Sequence, residues 1–498
     1  MRDKKIIYFL LGQAALVMTL AFLIPIIHSV ISHKLELARF FFLQLNIAAM
    51  IGATFFSFGR GHRRRIEVVD SAIAMISVWF VMSIIGAMPF ILSNTLNPVD
   101  AMLETVSDLT AAGVGFLPSS TPYEFKLWQA VLMWQGSMMF LVVLVTILPE
   151  VSGCFGMELS LSQGQIFSPM LGQMLISARR ISTIYSLLTL LSMLLFKIAG
   201  LDWWDAVVMA MRCLSTGGGE FFGIGNIYVE YVAAFSMLLA CGNFLLYFRL
   251  IHTLTPHFNT PPKEFKRNLI NNIKTFYSNS EVKFLTVVIF IGTMLVFITI
   301  FNRHYIFDGN ISFRMAFFHV VSFASTTGMT LRDISNAPDF DRFFLFLLVA
   351  VGGCMGSVTG GLKVIRILVL FKIAAVEVRK TLHPNMMPSI TVNGSIVPIR
   401  VIGRILSYFF LCALTLFICS VILSLSGQPF STSVVMTLAC LTNVGIMPGL
   451  CDSSTFMQLP IVMKLFCALI FVVGRMEIFA FLIVLSSVKI CREKTHWH

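Results

Sequence analysis

The 498-residue sequence predicts an all-α polytopic membrane protein: a leading two-helix hairpin followed by four similar units around a central axis. Three observations predict it. Hydrophobic residues make up 57% of the chain and charged residues only 12%, whereas about a quarter of the residues of a soluble domain carry charge. The basic residues are clustered between apolar runs rather than spread over a surface. And four short stretches rich in Thr, Ser, Ala and Gly interrupt strongly apolar sequence: Thr110-Ala111-Ala112-Gly113, Ser215-Thr216-Gly217-Gly218, Ser325-Thr326-Thr327-Gly328 and Thr442-Asn443-Val444-Gly445. Their glycines are 105, 110 and 117 residues apart, the spacing of one unit used four times.

The elements follow in order. Apolar runs near residues 6–31 and 39–58 form the hairpin (region 1–66), closed by Arg60-Gly61-His62-Arg63-Arg64-Arg65. The first run is longer than a signal-peptide core and lacks a small-residue cleavage site, so it reads as a retained helix. Each later unit repeats one order: spanning helix, short helix, glycine loop, spanning helix. The first unit (67–180) uses residues 69–93, 100–112 and 126–149, and the second (181–280) uses 181–199, 205–216 and 228–252. The third (281–400) uses 282–302, 314–326 and 342–376, and the fourth (401–498) uses 403–426, 431–442 and 460–490. About ten spans result. The short helices fall below the roughly 20 apolar residues that crossing requires, so they are expected to be re-entrant. Asp100-Ala101 and Asp205-Ala206 open two of them at the same distance from the loop glycine, and Asp at such a start suits an N-cap.

Irregular backbone survives at membrane depth only where it is buried in protein or lines a water-filled path. Four re-entrant helices ending at one axis turn their negative dipole ends towards it and favour a cation there. Loop carbonyls can then replace the hydration shell of that cation, and glycine supplies dihedrals that a side chain would penalise. The net charge of +12 raises the possibility of nucleic acid, but with a cytoplasmic N-terminus every basic cluster falls on the cytoplasmic side, as orientation requires. The charge therefore reports topology, with both termini cytoplasmic. Seven of the ten cysteines sit in apolar stretches and no CxxC or His/Cys metal spacing occurs, which reads as buried apolar packing. His496 and His498 read as solvent-facing or interfacial. No nucleophile–base pair is apparent, so an enzyme is not expected.

At these loops the chain resembles the Trk/Ktr/HKT superfamily of potassium transporters, and most closely the membrane subunit of the bacterial Trk potassium uptake system. The similarity runs from the hairpin through Leu109-Thr110-Ala111-Ala112-Gly113 and Ser325-Thr326-Thr327-Gly328. It is most specific at Gly352-Gly353-Cys354-Met355-Gly356-Ser357-Val358-Thr359-Gly360-Gly361-Leu362-Lys363 and at Gly474-Arg475-Met476-Glu477. The resemblance implies that the four loops form a potassium selectivity filter, that 352–361 is an intramembrane gate below it, and that Arg475 projects towards the permeation path. It further implies a homodimer in the bacterial inner membrane, surrounded by lipid and seated on a cytosolic ring of nucleotide-binding regulatory proteins. Potassium is then the substrate. Ala111-Ala112, Gly219 and the fourth loop depart from the usual family text, but no filter glycine is replaced by Ser, the change this superfamily associates with sodium permeation.

Several residues carry two readings. Five glycines in 352–361 exceed what a kink needs, at about 1 kcal/mol each relative to Ala, and favour a mobile gate. Gly-Leu-Lys363 does not match a phosphate loop, and Gly217 to Gly223 lacks a βαβ context. No cofactor is therefore expected in this chain, and nucleotide acts only through the regulatory partner. Arg475 is a functional candidate because an intramembrane cation is costly. Its alternative is an ion pair with Glu477, Glu104 or Asp108. Glu220 reads equally as an outer-mouth attractor or a solvated loop acid, and the basic segment 257–283 as a docking surface. The competing function is a sodium- or proton-coupled transporter with alternating access, which normally uses inverted repeats; these units run in one orientation.

Overall fold

The computed structural model describes residues 4–61, 68–118, 120–146, 171–254, 262–303, 309–332, 334, 337–383, 389–447, 450–476, 478 and 481. It is helical apart from one two-stranded hairpin among the described residues. The leading hairpin is α1 (Lys4–Ala21), α2 (Leu23–Ile31) and α3 (Leu35–Phe58). Pro25 has no amide to give to Ala21, four residues earlier, and α1 ends there. Gly12 and Gly59 face the backbone of Phe56 and Phe9, where a β-carbon would clash. Small residues let the two helices approach closely in a setting where lipid supplies no hydrophobic drive between them.

The chain continues through α4 (Val68–Leu92), α5 (Pro98–Leu109), α6 (Tyr123–Thr146), α7 (Leu171–Ile198), α8 (Trp203–Ser215), α9 (Ile227–Cys241) and α10 (Phe244–Leu254). Next come α11 (Pro262–Ser278), α12 (Ser280–Arg303), α13 (Gly309–Ala324), α14 (Asp339–Val351) and α15 (Val364–Leu382). After them lie the antiparallel β1 (Thr391–Val392) and β2 (Ser395–Ile396), then α16 (Ile399–Ser424), α17 (Phe430–Thr442), α18 (Ser453–Met457) and α19 (Ile461–Met476). Seven helices among the described residues are long and apolar enough to cross a membrane. Three expected spans account for the difference from ten. The expected span 228–252 is broken between α9 and α10 at Gly242-Asn243, 342–376 is broken between α14 and α15, and 460–490 is described as α19 only to Met476.

Outward faces are apolar, as lipid contact requires: Leu187, Leu190 and Leu194 on α7, Phe290 and Ile298 on α12, and Phe410 and Phe417 on α16 are all exposed. The short helices α5, α8 and α17 are instead buried along most of their length. Their starts differ from the expected Asp caps. Asn97 and Asp202 hold the N-cap positions, neither with a side-chain cap bond. Asp100 and Asp205 are the third residues of α5 and α8, within the first turn, and bond to neighbouring helices. Lys464 of α19 donates to Asp100 Oδ1 at 2.6 Å, and the Tyr123 hydroxyl of α6 to Asp205 Oδ1 at 2.7 Å.

Candidate functional site

The four glycine loops share one backbone conformation. Ala111, Thr216, Thr326 and Asn443 have φ of 58°, 59°, 56° and 55°, and Gly113, Gly218, Gly328 and Gly445 have φ of 68°, 63°, 74° and 72°. Ala112, Gly217, Thr327 and Val444 between them have ordinary negative φ. A β-branched residue such as Thr at positive φ is a true outlier, and such strain persists only where the surroundings over-determine it. Alternating the sign of φ turns successive carbonyls towards the same side of the chain. The anchoring is also common to the loops. The residue six before each glycine, Ser107, Arg212, Ser322 and Ala439, offers its carbonyl to the amide of the residue before the glycine, at 2.7, 3.0, 2.9 and 3.1 Å.

The loops meet in cyclic order. A β-carbon on Gly113 would strike the carbonyl oxygen of Gly217, one on Gly218 that of Thr327, and one on Gly445 that of Ala112, all inside 3.0 Å. One on Gly328 would lie 2.7 Å from Val444 Cγ1 and 3.2 Å from Ile446 O. Loop one therefore touches two, two touches three, three touches four, and four returns to one. Positive φ and absence of a side chain are both required at these points.

Buried side chains brace the loops from behind. Glu104 accepts the Phe116 amide at 3.0 Å, and His319 Nε2 accepts the Leu331 amide at 3.2 Å, equivalent bonds across twelve residues in the first and third loops. The Ser107 hydroxyl accepts the Val114 amide, and Asn443 donates to Phe471 O at 2.9 Å. The Ser137 hydroxyl of α6 donates to Ser215 O at 2.9 Å.

Residues 352–363 form a buried strap between α14 and α15. Gly352, Gly356 and Gly361 take positive φ. Gly353 and Gly360 are closely packed: a β-carbon on Gly353 would strike Cys241 Sγ, and one on Gly360 would strike Thr442 O of the fourth loop. The Gly360 amide donates to Thr326 Oγ1 of the third loop at 3.0 Å. Within the strap, Lys363 Nζ donates to Ser357 Oγ and to Thr359 Oγ1, each at 3.2 Å, and to Thr359 O. The strap thus lies directly against two of the glycine loops and is cross-linked internally by one buried ammonium group.

Arg475 is 2% exposed. Its Nη1 donates to Val358 O of the strap at 2.8 Å, its Nη2 to Ser137 Oγ at 2.9 Å, and the guanidinium sits 4.4 Å from the Phe140 ring centroid. Neither Glu104 nor Asp108 is among these partners, so the alternative of an ion pair with either is corrected. Glu104 instead accepts from the Phe116 amide of its own loop and from the Gln129 side chain of α6. Glu477 lies outside the described residues, as do His496 and His498. Glu220 is exposed and ion-paired with Lys126 at 3.0 Å. Among the described residues no group of three or more His, Cys, Asp or Glu is placed to hold a metal ion. Sequence reasoning missed the α9–α10 break, whose signal was Gly242-Asn243 inside an apolar run. Ser137 and the acid Glu281 carried no local signal.

A profile of the TrkH family, described as a cation transport protein, matches residues 38–494. The Trk system potassium uptake protein TrkG of Escherichia coli is 29% identical over 84% of this chain and 84% of its own length. TrkH of Halomonas elongata is 27% identical over 97% of this chain and 98% of its own. The crystal structure of the potassium transporter TrkH from Vibrio parahaemolyticus shares the fold, with a TM-score of 0.84, 23% identity and coverage of 97% and 99% of the two chains. With buried loops joined in a closed cycle inside a polytopic helical frame, and a profile matched along nearly its whole length, the chain belongs to the TrkH family of cation transport proteins.

Proposed function

We propose that the chain is the pore-forming membrane subunit of a potassium uptake system in the bacterial inner membrane, with residues 110–113, 215–218, 325–328 and 442–445 as its selectivity filter. The cyclic contact of four loops with the same alternating backbone carries this reading. An ion on the axis of such a ring meets carbonyls from all four loops, which replace its water shell without a charged side chain, and the C-terminal ends of α5, α8, α13 and α17 add their dipoles. The naming of relatives as Trk system potassium uptake proteins supports potassium as the ion. The units 67–180, 181–280, 281–400 and 401–498 each supply one loop. Strap 352–361 is the gate, since it lies against the third and fourth loops, and Arg475 is its tether. Inward flux follows the membrane potential. Control by nucleotide belongs to a cytosolic regulatory ring beneath a homodimer.

Growth and rubidium uptake of a potassium-starved strain carrying only this chain test the reading. Rescue at low potassium, enhanced by the regulatory partner and unaffected by external sodium, is expected. Uptake that requires a sodium or proton gradient would overturn it in favour of coupled transport.

A further inference from the structure

We propose that Glu281 is a positioning residue that latches the strap in its closed place, and that tilting of α11 releases it. This rests on the reading of 352–361 as a gate. Glu281 stands in the first turn of α12 and is fully buried. Asn243 Nδ2 donates to its Oε2 at 3.2 Å, the Met355 amide of the strap faces the carboxylate, and the Lys363 ammonium acts on it as counter-charge. A buried carboxylate is tolerated only where donors and a counter-charge surround it. Here they come from the strap and from the broken end of α9. The same break grips the strap through backbone. The Cys354 amide donates to Cys241 O at 3.0 Å, Val358 to Ala240 O at 3.3 Å, and Phe244 to Gly356 O at 3.2 Å. Asn243, which also accepts the Leu245 amide at 3.0 Å, is the joint between the break and Glu281. The α9–α10 interruption thus builds a receptor for the strap, and Glu281 closes it from the side of α12.

The latch has a handle. Only Asn279 separates α11 from α12. Asn279 Oδ1 accepts the Glu281 amide at 2.9 Å, and the Ser280 amide donates to Asn393 Oδ1 of the β-hairpin at 2.8 Å. Helix α11 carries Arg267 and Lys274 and exposes Ile270, Ile273 and Tyr277. It rests on α10 through Phe276, stacked on Tyr247 at 6.0 Å between centroids. A force that tilts α11 turns the first turn of α12, where Glu281 sits, and withdraws the carboxylate from Asn243 and the strap. The surface-lying helix and the intramembrane strap therefore share one buried joint.

The test uses the full-length protein in liposomes, reading rubidium flux per folded protein, the rubidium-to-sodium flux ratio and thermal melting. Glu281→Gln is expected to raise basal flux by about fivefold or more, within the usual range of coupling between sites, with an unchanged flux ratio. Asn243→Leu should do the same from the other side of the contact, and carries the test alone if Glu281→Gln fails to fold. Phe276→Ala should raise flux in the wild type but add nothing to Glu281→Gln, as residues on one route do not combine additively. Unchanged flux in Glu281→Gln and Asn243→Leu, alongside raised flux on deletion of Gly356–Gly360, overturns the latch and leaves the gate standing. If the deletion itself does not raise flux, the gate reading fails first. Fully additive effects of Phe276→Ala and Glu281→Gln would overturn the role of α11.

Discussion

Arg475→Ala removes a side chain that joins α19, α6 and the strap. Its guanidinium donates to Val358 O at 2.8 Å and to Ser137 Oγ at 2.9 Å, and lies 4.4 Å from the Phe140 ring centroid. A hydrogen bond from a charged donor contributes about 1.5–3 kcal/mol. Of these two bonds the one to Val358 reaches the strap, so under the proposed gate reading its loss favours release of the strap by about that amount, or roughly ten- to 150-fold in the released-to-seated ratio. The electrostatic effect has the same sign: at an effective dielectric of 20, a fixed unit charge about 4 Å from a passing cation opposes it by about 4 kcal/mol. Flux should therefore rise in Arg475→Ala. Arg475→Lys separates the two contributions, since it keeps the charge but loses the planar two-pronged donor, and its flux should fall between wild type and Arg475→Ala. Rubidium flux into liposomes per folded protein, with thermal melting in parallel, measures both. Flux unchanged or reduced in Arg475→Ala at wild-type melting temperature would refute the tether and the charge barrier together.

Two further outcomes concern the loops and the strap. Gly113→Ser should lower the rubidium-over-sodium flux ratio more than Gly328→Ser, because its new β-carbon meets the Gly217 carbonyl while that of Gly328 meets the movable Val444 side chain. Unchanged ratios in both variants would remove these glycines from the selectivity filter. Deleting Gly356–Gly360 should raise flux and weaken dependence on a regulatory partner, as it takes away the partners of Arg475, Phe244 and Thr326. Loss of all flux from a folded, inserted variant would make the strap structural.

Much of the frame was legible in the sequence, because it depends on short-range properties. Apolar run length placed α3, α4 and α16 within a few residues, and the Pro25 interruption has a purely local cause. The four loop glycines stood out since positive φ without a side chain is a local demand, and five glycines in 352–361 announced the break in the third unit for the same reason. Residue choice at the helix starts was less telling. Asp100 and Asp205 look like caps but are the third residues of their helices, and their side chains bond to Lys464 and Tyr123, far away in the chain.

What the tertiary structure alone decided is which distant groups meet. Arg475 and Ser137 are 338 residues apart, and nothing near either residue specifies the other; Glu104 and Asp108 were chemically as reasonable. The cyclic order of the loops, the strap against Thr326 and Thr442, and the enclosure of Glu281 belong to the same class. Helix formation and backbone handedness are set by neighbours within about a turn of the chain. A buried polar group must instead find its partner among whatever elements packing brings beside it, and that neighbourhood exists only once the chain has folded.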